Sequence, residues 1–220
     1  MERTIRVTGK GKISVKPDTI RLLIELEGSA KDYDETMHMS AKQTEIVKDC
    51  FEKLEFQRSD VKTMSFNIDT DYESYQAKDK SRKRRFVGYK YRHTMKIEFP
   101  ADNVTLGKVL HSLTHCEAHP EFRIVYTVKN MEAARILLLK QVVTDSKNKA
   151  KILSEAAEVK LGDIISIDYS WEKRDVASAP VGRFIEIMAL KDDTFDDCTV
   201  DIEPEDIDVS DTVTVVWKII

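Results

Sequence analysis

The stretch from Tyr89 to Phe99 alternates without a break. Tyr89, Tyr91, His93, Met95, Ile97 and Phe99 fall on one side, and Lys90, Arg92, Thr94, Lys96 and Glu98 on the other. A period of two sustained this long predicts a strand with one buried and one wet face. TIRLLIELEG repeats the pattern, with Ile20, Leu22, Ile24 and Leu26 on one face and Thr19, Arg21, Glu25 and Glu27 opposite.

Other segments read in the same way. IRVTG (5–9) and KISV (12–15) are expected as two short strands separated by Gly9-Lys10-Gly11, and Pro17-Asp18 makes the next turn. From Asp32 the period changes. Tyr33, Met37, Ala41, Thr44, Val47, Phe51 and Leu54 recur at three and four, which predicts an amphipathic helix. Asp32 is placed to cap it, with Glu35 completing a capping box. VKTMSFNIDTDY reads as a strand with Met64, Phe66 and Ile68 inward, followed by a polar loop, ESYQAKDKSRKRR. Past Pro100, Asp102 or Asn103 can cap a helix to about Cys116, with Val104, Leu110 and Leu113 toward the core. Residues 122–128 form a short strand. Residues 131–159 form the longest helix, with Ile136, Leu139, Val143, Ser146, Ala150, Leu153 and Ala157 on its stripe. Residues 164–171 and DTVTVVWKII close the chain as strands.

This order fits an α+β fold with mostly antiparallel sheets, helices packed on one face and two α/β sandwich-like halves. Residues 1–100 are expected as a strand-helix-strand half joined by the C-terminal strand 209–220. Residues 101–175 form the second half, and 176–208 an irregular acidic connection.

A chain of 220 residues with 41% hydrophobic and 34% charged residues can bury a sizeable core. Its formal net charge of -4 argues against a general nucleic-acid binder. Cys50, Cys116 and Cys198 are far apart and form no C-x-x-C, which fits a reducing compartment without a disulfide framework. No run approaches the ~20 apolar residues of a membrane helix. MERTIRVTGKGK has no apolar leader, so a cytoplasmic location is expected for the sequence as written.

Four stretches, in order, resemble the SIMPL domain family, which includes bacterial YggE-like proteins and a periplasmic Brucella immunogen. They are VTGKGKISVKPDTIRLLIELEG, FVGYKYRHTMKIEF, KAKILSEAAEVKLGDIISI and IEPEDIDVSDTVTVVWKI. The resemblance runs the length of the chain. It departs at Glu158 and Glu205, where the family tends to have glycine, so altered turns are expected there. It implies a two-part α+β fold, assembly into rings or larger homo-oligomers, and a cell-envelope location if a signal peptide has been removed. No catalytic residue or cofactor is implied.

HSLTHCEAHP (111–120) carries the strongest chemical signal. His111 and His115 are four apart and share a helix face, as two metal ligands would. His119 precedes Pro120 and is biased out of the helix. Cys116 lies about 100° around from His115. Two ligands do not complete a zinc site, and the glutamate of the metalloprotease H-E-x-x-H motif is missing. These histidines are therefore read as helix-end and loop residues, and no metal ligand is assigned. His93, on an apolar strand face, is read as a satisfied core or interface histidine.

The basic run KDKSRKRR (78–85) is read as a solvated hairpin loop, with phosphate or RNA binding as its functional alternative. Residues 192–211 hold ten acids and no base, without the spacing of a calcium loop. GKGK lacks the GK[ST] ending and the following helix of a phosphate loop. The expectation is a non-enzymatic assembly or protein-interaction scaffold, without cofactor. Two alternatives stand beside it. One is a metal-dependent enzyme using His111 and His115; the other is a nucleic-acid-associated module using residues 78–85.

Overall fold

β2 (Thr19–Ala30) and β4 (Arg82–Pro100) pair antiparallel from Thr19↔Pro100 to Ala30↔Tyr89, so the two alternating stretches lie side by side. Their inward residues, from Ile20 to Leu26 and from Tyr91 to Phe99, are buried. Each fully buried Ile or Leu contributes about 1.5–3 kcal/mol, so this pair anchors its half of the molecule. The computed structural model describes residues 3–76, 82–169 and 202–220.

β3 (Lys62–Gln76) pairs with β4, and β5 (Glu121–Thr127) lies at the far edge, giving the order β3-β4-β2-β5. Helix α1 (Tyr33–Glu52) follows β2, and α2 (Asn103–Thr114) follows β4. A β-α-β-β-α-β chain with this sheet order has the split βαβ arrangement of ferredoxin-like folds. Val47 and Phe51 of α1 and Leu106, Leu110 and Leu113 of α2 complete the core over the apolar face.

A second sheet, β1-β7-β6, is antiparallel throughout. It comprises β1 (Thr4–Val15), β6 (Leu161–Asp168) and β7 (Ile207–Ile219), with helix α3 (Glu132–Ala156) packed on β1 and β7. Val7, Leu138, Val142, Ala150, Val213, Val215 and Trp217 are its core. The α+β architecture expected from the sequence is therefore present.

The chain divides into two units, one built on β1, α3, β6 and β7 and the other on β2 to β5 with α1 and α2. This differs from the expected division at residue 100. β1 leaves β2 and takes β7 as its partner, while α2 and β5 complete the sheet of β2 and β4. The turn after β1 explains the departure. Asp18 N donates to Thr127 O at 3.2 Å, and its carboxylate accepts from Lys129 N at 2.8 Å, which ties β1 to the segment leading into α3. Of the expected acidic connection, residues 176–201 lie outside the described residues, as does Trp171. Ile202 packs against the core of β2 and β4.

Several local expectations are corrected. β1 is one strand of twelve residues, with Gly9 and Gly11 inside it rather than between two strands. Asp32 stands at the start of α1, but its side chain caps nothing. Instead Thr36 Oγ1 and Thr36 N donate to the Asp32 carbonyl at 2.9 and 3.1 Å. The buried face of α1 is Thr36, Ser40, Val47 and Phe51, while Tyr33 and Met37 are exposed. Small polar residues sit where the helix approaches the sheet. Met64 and Phe66 of β3 are exposed, and among the described residues no helix packs extensively on that edge strand. In α3 the buried residues are Leu138, Val142, Ser146, Ala150 and Ser154, and Ile136, Val143 and Leu153 face out.

Candidate functional site

The helix carrying the histidines is set by its first turn. The Asp102 carboxylate accepts from Val104 N at 3.2 Å and Thr105 N at 2.8 Å. The Thr105 side chain, and then these amides, hold the Asp102 carboxyl below its ordinary range. Leu106, Val109, Leu110 and Leu113 then fix the buried face, while Val104 is exposed. His111 and His115 project together, with ring centroids 4.2 Å apart and planes at 48°. His115 Nδ1 lies 3.0 Å from the His111 carbonyl oxygen. Such a bond requires the proton on Nδ1. Burial, and then neighbouring His115, lowers the proton affinity of His111.

The helix ends at Thr114, short of the expected Cys116. His119 lies beyond the helix at φ 44°, in the left-handed region and not in the extended one that a residue before proline favours. Cys116 is buried in the core. Burial pushes its thiol up to about 11, and Cys50 is among its neighbours. The fold thus brings together two cysteines that the sequence leaves far apart. Among the described residues, no set of three His, Cys, Asp or Glu could hold a metal ion.

A groove of about 340 Å³ opens beside the imidazoles. Lys108, His111, Ser112 and His115 line it from α2, and Cys50, Lys53 and Leu54 from the end of α1. Arg58 organises the acids of α1. It donates to Asp49 at 2.6 Å and Glu52 at 3.0 Å, and it also pairs with Glu45. Those carboxylates are held outside the groove lining.

His93 has a different setting. Its Nδ1 meets Thr44 Oγ1 at 3.0 Å and its Nε2 meets Thr63 Oγ1 at 2.8 Å. The ring also packs edge-on to Phe66. Burial, and then Lys48, lowers its proton affinity. Both ring nitrogens are occupied, which suits a structural histidine.

The basic run is not a loop throughout. Residues 77–81 lie outside the described residues, but Arg82 to Arg85 belong to β4 and pair with Gln76 to Glu73 of β3. Beyond Ala30↔Tyr89, where β2 ends, β3 and β4 continue, among the described residues, as a two-stranded arm. Arg84 lies over the Tyr72 ring at 5.1 Å, and Arg85 pairs with Glu73 at 2.7 Å. Tyr72, Phe86, Tyr89 and Tyr33 follow one another in edge-to-face contact at 5.5–5.8 Å. Tyr72 and Phe86 are nevertheless 44% and 47% exposed. A bulge between Asp71 and Tyr72 and Gly88 at φ 151° bend the arm at its root. A Cβ on Gly88 would lie 2.1 Å from the Ala30 carbonyl oxygen.

These features define a two-unit α+β protein with a basic aromatic arm and a histidine-lysine groove. The SIMPL family, described as proteins of unknown function (DUF541), matches residues 5–217, and the chain belongs to it. A comparison with curated proteins finds no match.

Proposed function

We propose that this SIMPL-family chain is a non-enzymatic protein whose β3–β4 arm joins copies of the chain into a homo-oligomer. The carrying observation is the arm itself. A two-stranded ribbon without a third strand is marginally stable alone. This one exposes Tyr72, Tyr75 and Phe86 next to Arg82–Arg85. Aromatic residues and arginine are the types enriched at the centres of protein interfaces.

Charge complementarity supports a second copy as the partner. The acids of residues 192–211 are the counterpart to the arm's cations. Asp208 is engaged by Lys12 at 2.7 Å and Ser14 at 2.6 Å, and Asp211 by Tyr169 at 2.8 Å. Of the remaining acids, those at 192–201 lie outside the described residues, and it is their charge in the sequence that complements the arm. The test is the sedimentation of a Lys83→Glu,Arg84→Glu variant. A lower sedimentation coefficient supports the reading, and unchanged assembly overturns it.

A further inference from the structure

We propose that the groove between the end of α1 and α2 binds a small oxyanion of the phosphate class, free or as the terminal group of a phosphomonoester. Lys53, Lys108 and His115 would hold it, with Ser112 as a hydroxyl donor. This inference is independent of the assembly.

The lining carries the case. Among the described residues it includes two lysines, two imidazoles and a hydroxyl, and no carboxylate. Several other cations of this unit are matched by acids at close range. Arg21 pairs with Glu98 at 2.7 Å and Lys90 with Glu27 at 2.6 Å. The acids near Lys53 are taken by Arg58, and Asp102, which feels Lys108, is spent on the amides of α2. Cations set around one concave surface present a positive field that draws an anion in.

The geometry favours a compact anion. The volume of about 340 Å³ suits a small ligand, and the donors come from two helices on facing walls. His115 Nδ1–H donates to the His111 carbonyl, which leaves Nε2 for a ligand, donating to an oxyanion when the ring is protonated and accepting from a protonated phosphate oxygen when it is neutral. Ser112 Oγ makes only a long bond of 3.4 Å to the Cys50 carbonyl, so it can turn toward an oxyanion without losing a strong partner. Lysine serves phosphate as a point charge and does not require the planar geometry of arginine.

The test follows the imidazole ring signals by NMR during a titration of the full chain with inorganic phosphate at constant ionic strength. Chloride is the control. Saturable shifts of His111 and His115, with His93 unmoved, are expected in the millimolar range or tighter. Removing two charge-assisted contacts in Lys53→Ala,Lys108→Ala should weaken the apparent affinity about tenfold or more. The unchanged His93 signal reports that this variant is folded. A parallel titration with phenyl phosphate separates the two sources: tighter binding identifies an ester, and equal binding the phosphate group alone. Linear shifts that chloride reproduces, or equal affinity in the double variant, would overturn the assignment.

Discussion

Gly9 of β1 lies directly under the backbone of α3: a Cβ placed on it would sit 2.0 Å from the Val142 carbonyl oxygen and 2.8 Å from Ser146 N. The helix touches the strand there with no side chain between them. That contact explains why Val142 and Ser146 face the sheet, while larger residues of α3 turn away. It also explains the glycines of VTGKGK as points of close approach inside a strand.

Substitution should separate the two glycines. At Gly9 the obstacle is backbone, so Gly9→Ala must displace the helix and should cost about 3 kcal/mol or more. At Gly11 the nearest atoms are Val142 Cγ1 at 2.7 Å and Leu138 Cδ1 at 3.0 Å, which are side-chain ends that can turn. Gly11→Ala should cost roughly 1–2 kcal/mol. Urea unfolding measures both, and equal losses would contradict the close-approach account.

Among the described residues β1 ends its sheet, and the same helix guards that edge. Asp145 Oδ2 accepts from Lys10 N at 2.7 Å, and Gln141 Oε1 accepts from Lys12 N at 3.2 Å. The Lys149 side chain, and then the Lys10 amide, hold the Asp145 carboxyl below its usual range. An unpaired strand edge invites pairing with other chains, and side-chain acceptors blunt it. Asp145→Ala should speed hydrogen exchange at Lys10 while leaving the β2–β4 amides unchanged. Unaltered exchange at Lys10 would show that the carboxylate does not protect this edge.

Glu158 shows what the sequence departure does. It follows α3 at φ 57°, with its own N–H on Glu155 O at 3.1 Å and Val159 N on Ser154 O at 3.0 Å. This is a Schellman ending with a glutamate in the left-handed position. The turn that glycine would make is kept, with strain, instead of being replaced by another. Glu158→Gly should therefore stabilise the chain by roughly 0.5–1 kcal/mol, read as a rise in Tm of about 1–4 °C. A fall in Tm would mean that the glutamate side chain contributes more than its backbone loses. Glu205, the other departure, is not among the residues of positive φ.

His93 ties stability to pH. Its folded proton affinity lies below the unfolded value of about 6.5, so the unfolded chain binds the proton more readily. Its contribution is full above that unfolded value. It is lost as pH falls through the window down to the folded pKa. His111 is shifted the same way and adds to the same window. Urea unfolding across pH 7.5 to 5 should show falling stability, with a shallower slope in His93→Gln. An identical slope in the variant would remove His93 as the source.

The legible parts of the fold were those with two distinct faces. β2 and β4 alternate because helices cover one side and water the other. The sequence predicts a break in β1 because glycine signals a turn as readily as a close approach. On α3 hydropathy favours Ile136 and Leu153, whereas the glycines of β1 bring Leu138, Val142 and Ser146 against the strand. The arm looked like a loop because Arg82–Arg85 carry no apolar alternation. At the groove, the pairing of His111 with His115 followed from their spacing on α2. Cys50 and Lys53 arrive from α1 through tertiary packing, which local periodicity does not encode.

The most direct test of the assembly is absolute mass in solution, measured by size exclusion with light scattering over a range of concentration and salt. The account predicts a discrete oligomer, a whole multiple of the 25.3 kDa chain, that falls toward a single chain in Lys83→Glu,Arg84→Glu. A species of 25.3 kDa at every concentration would contradict it.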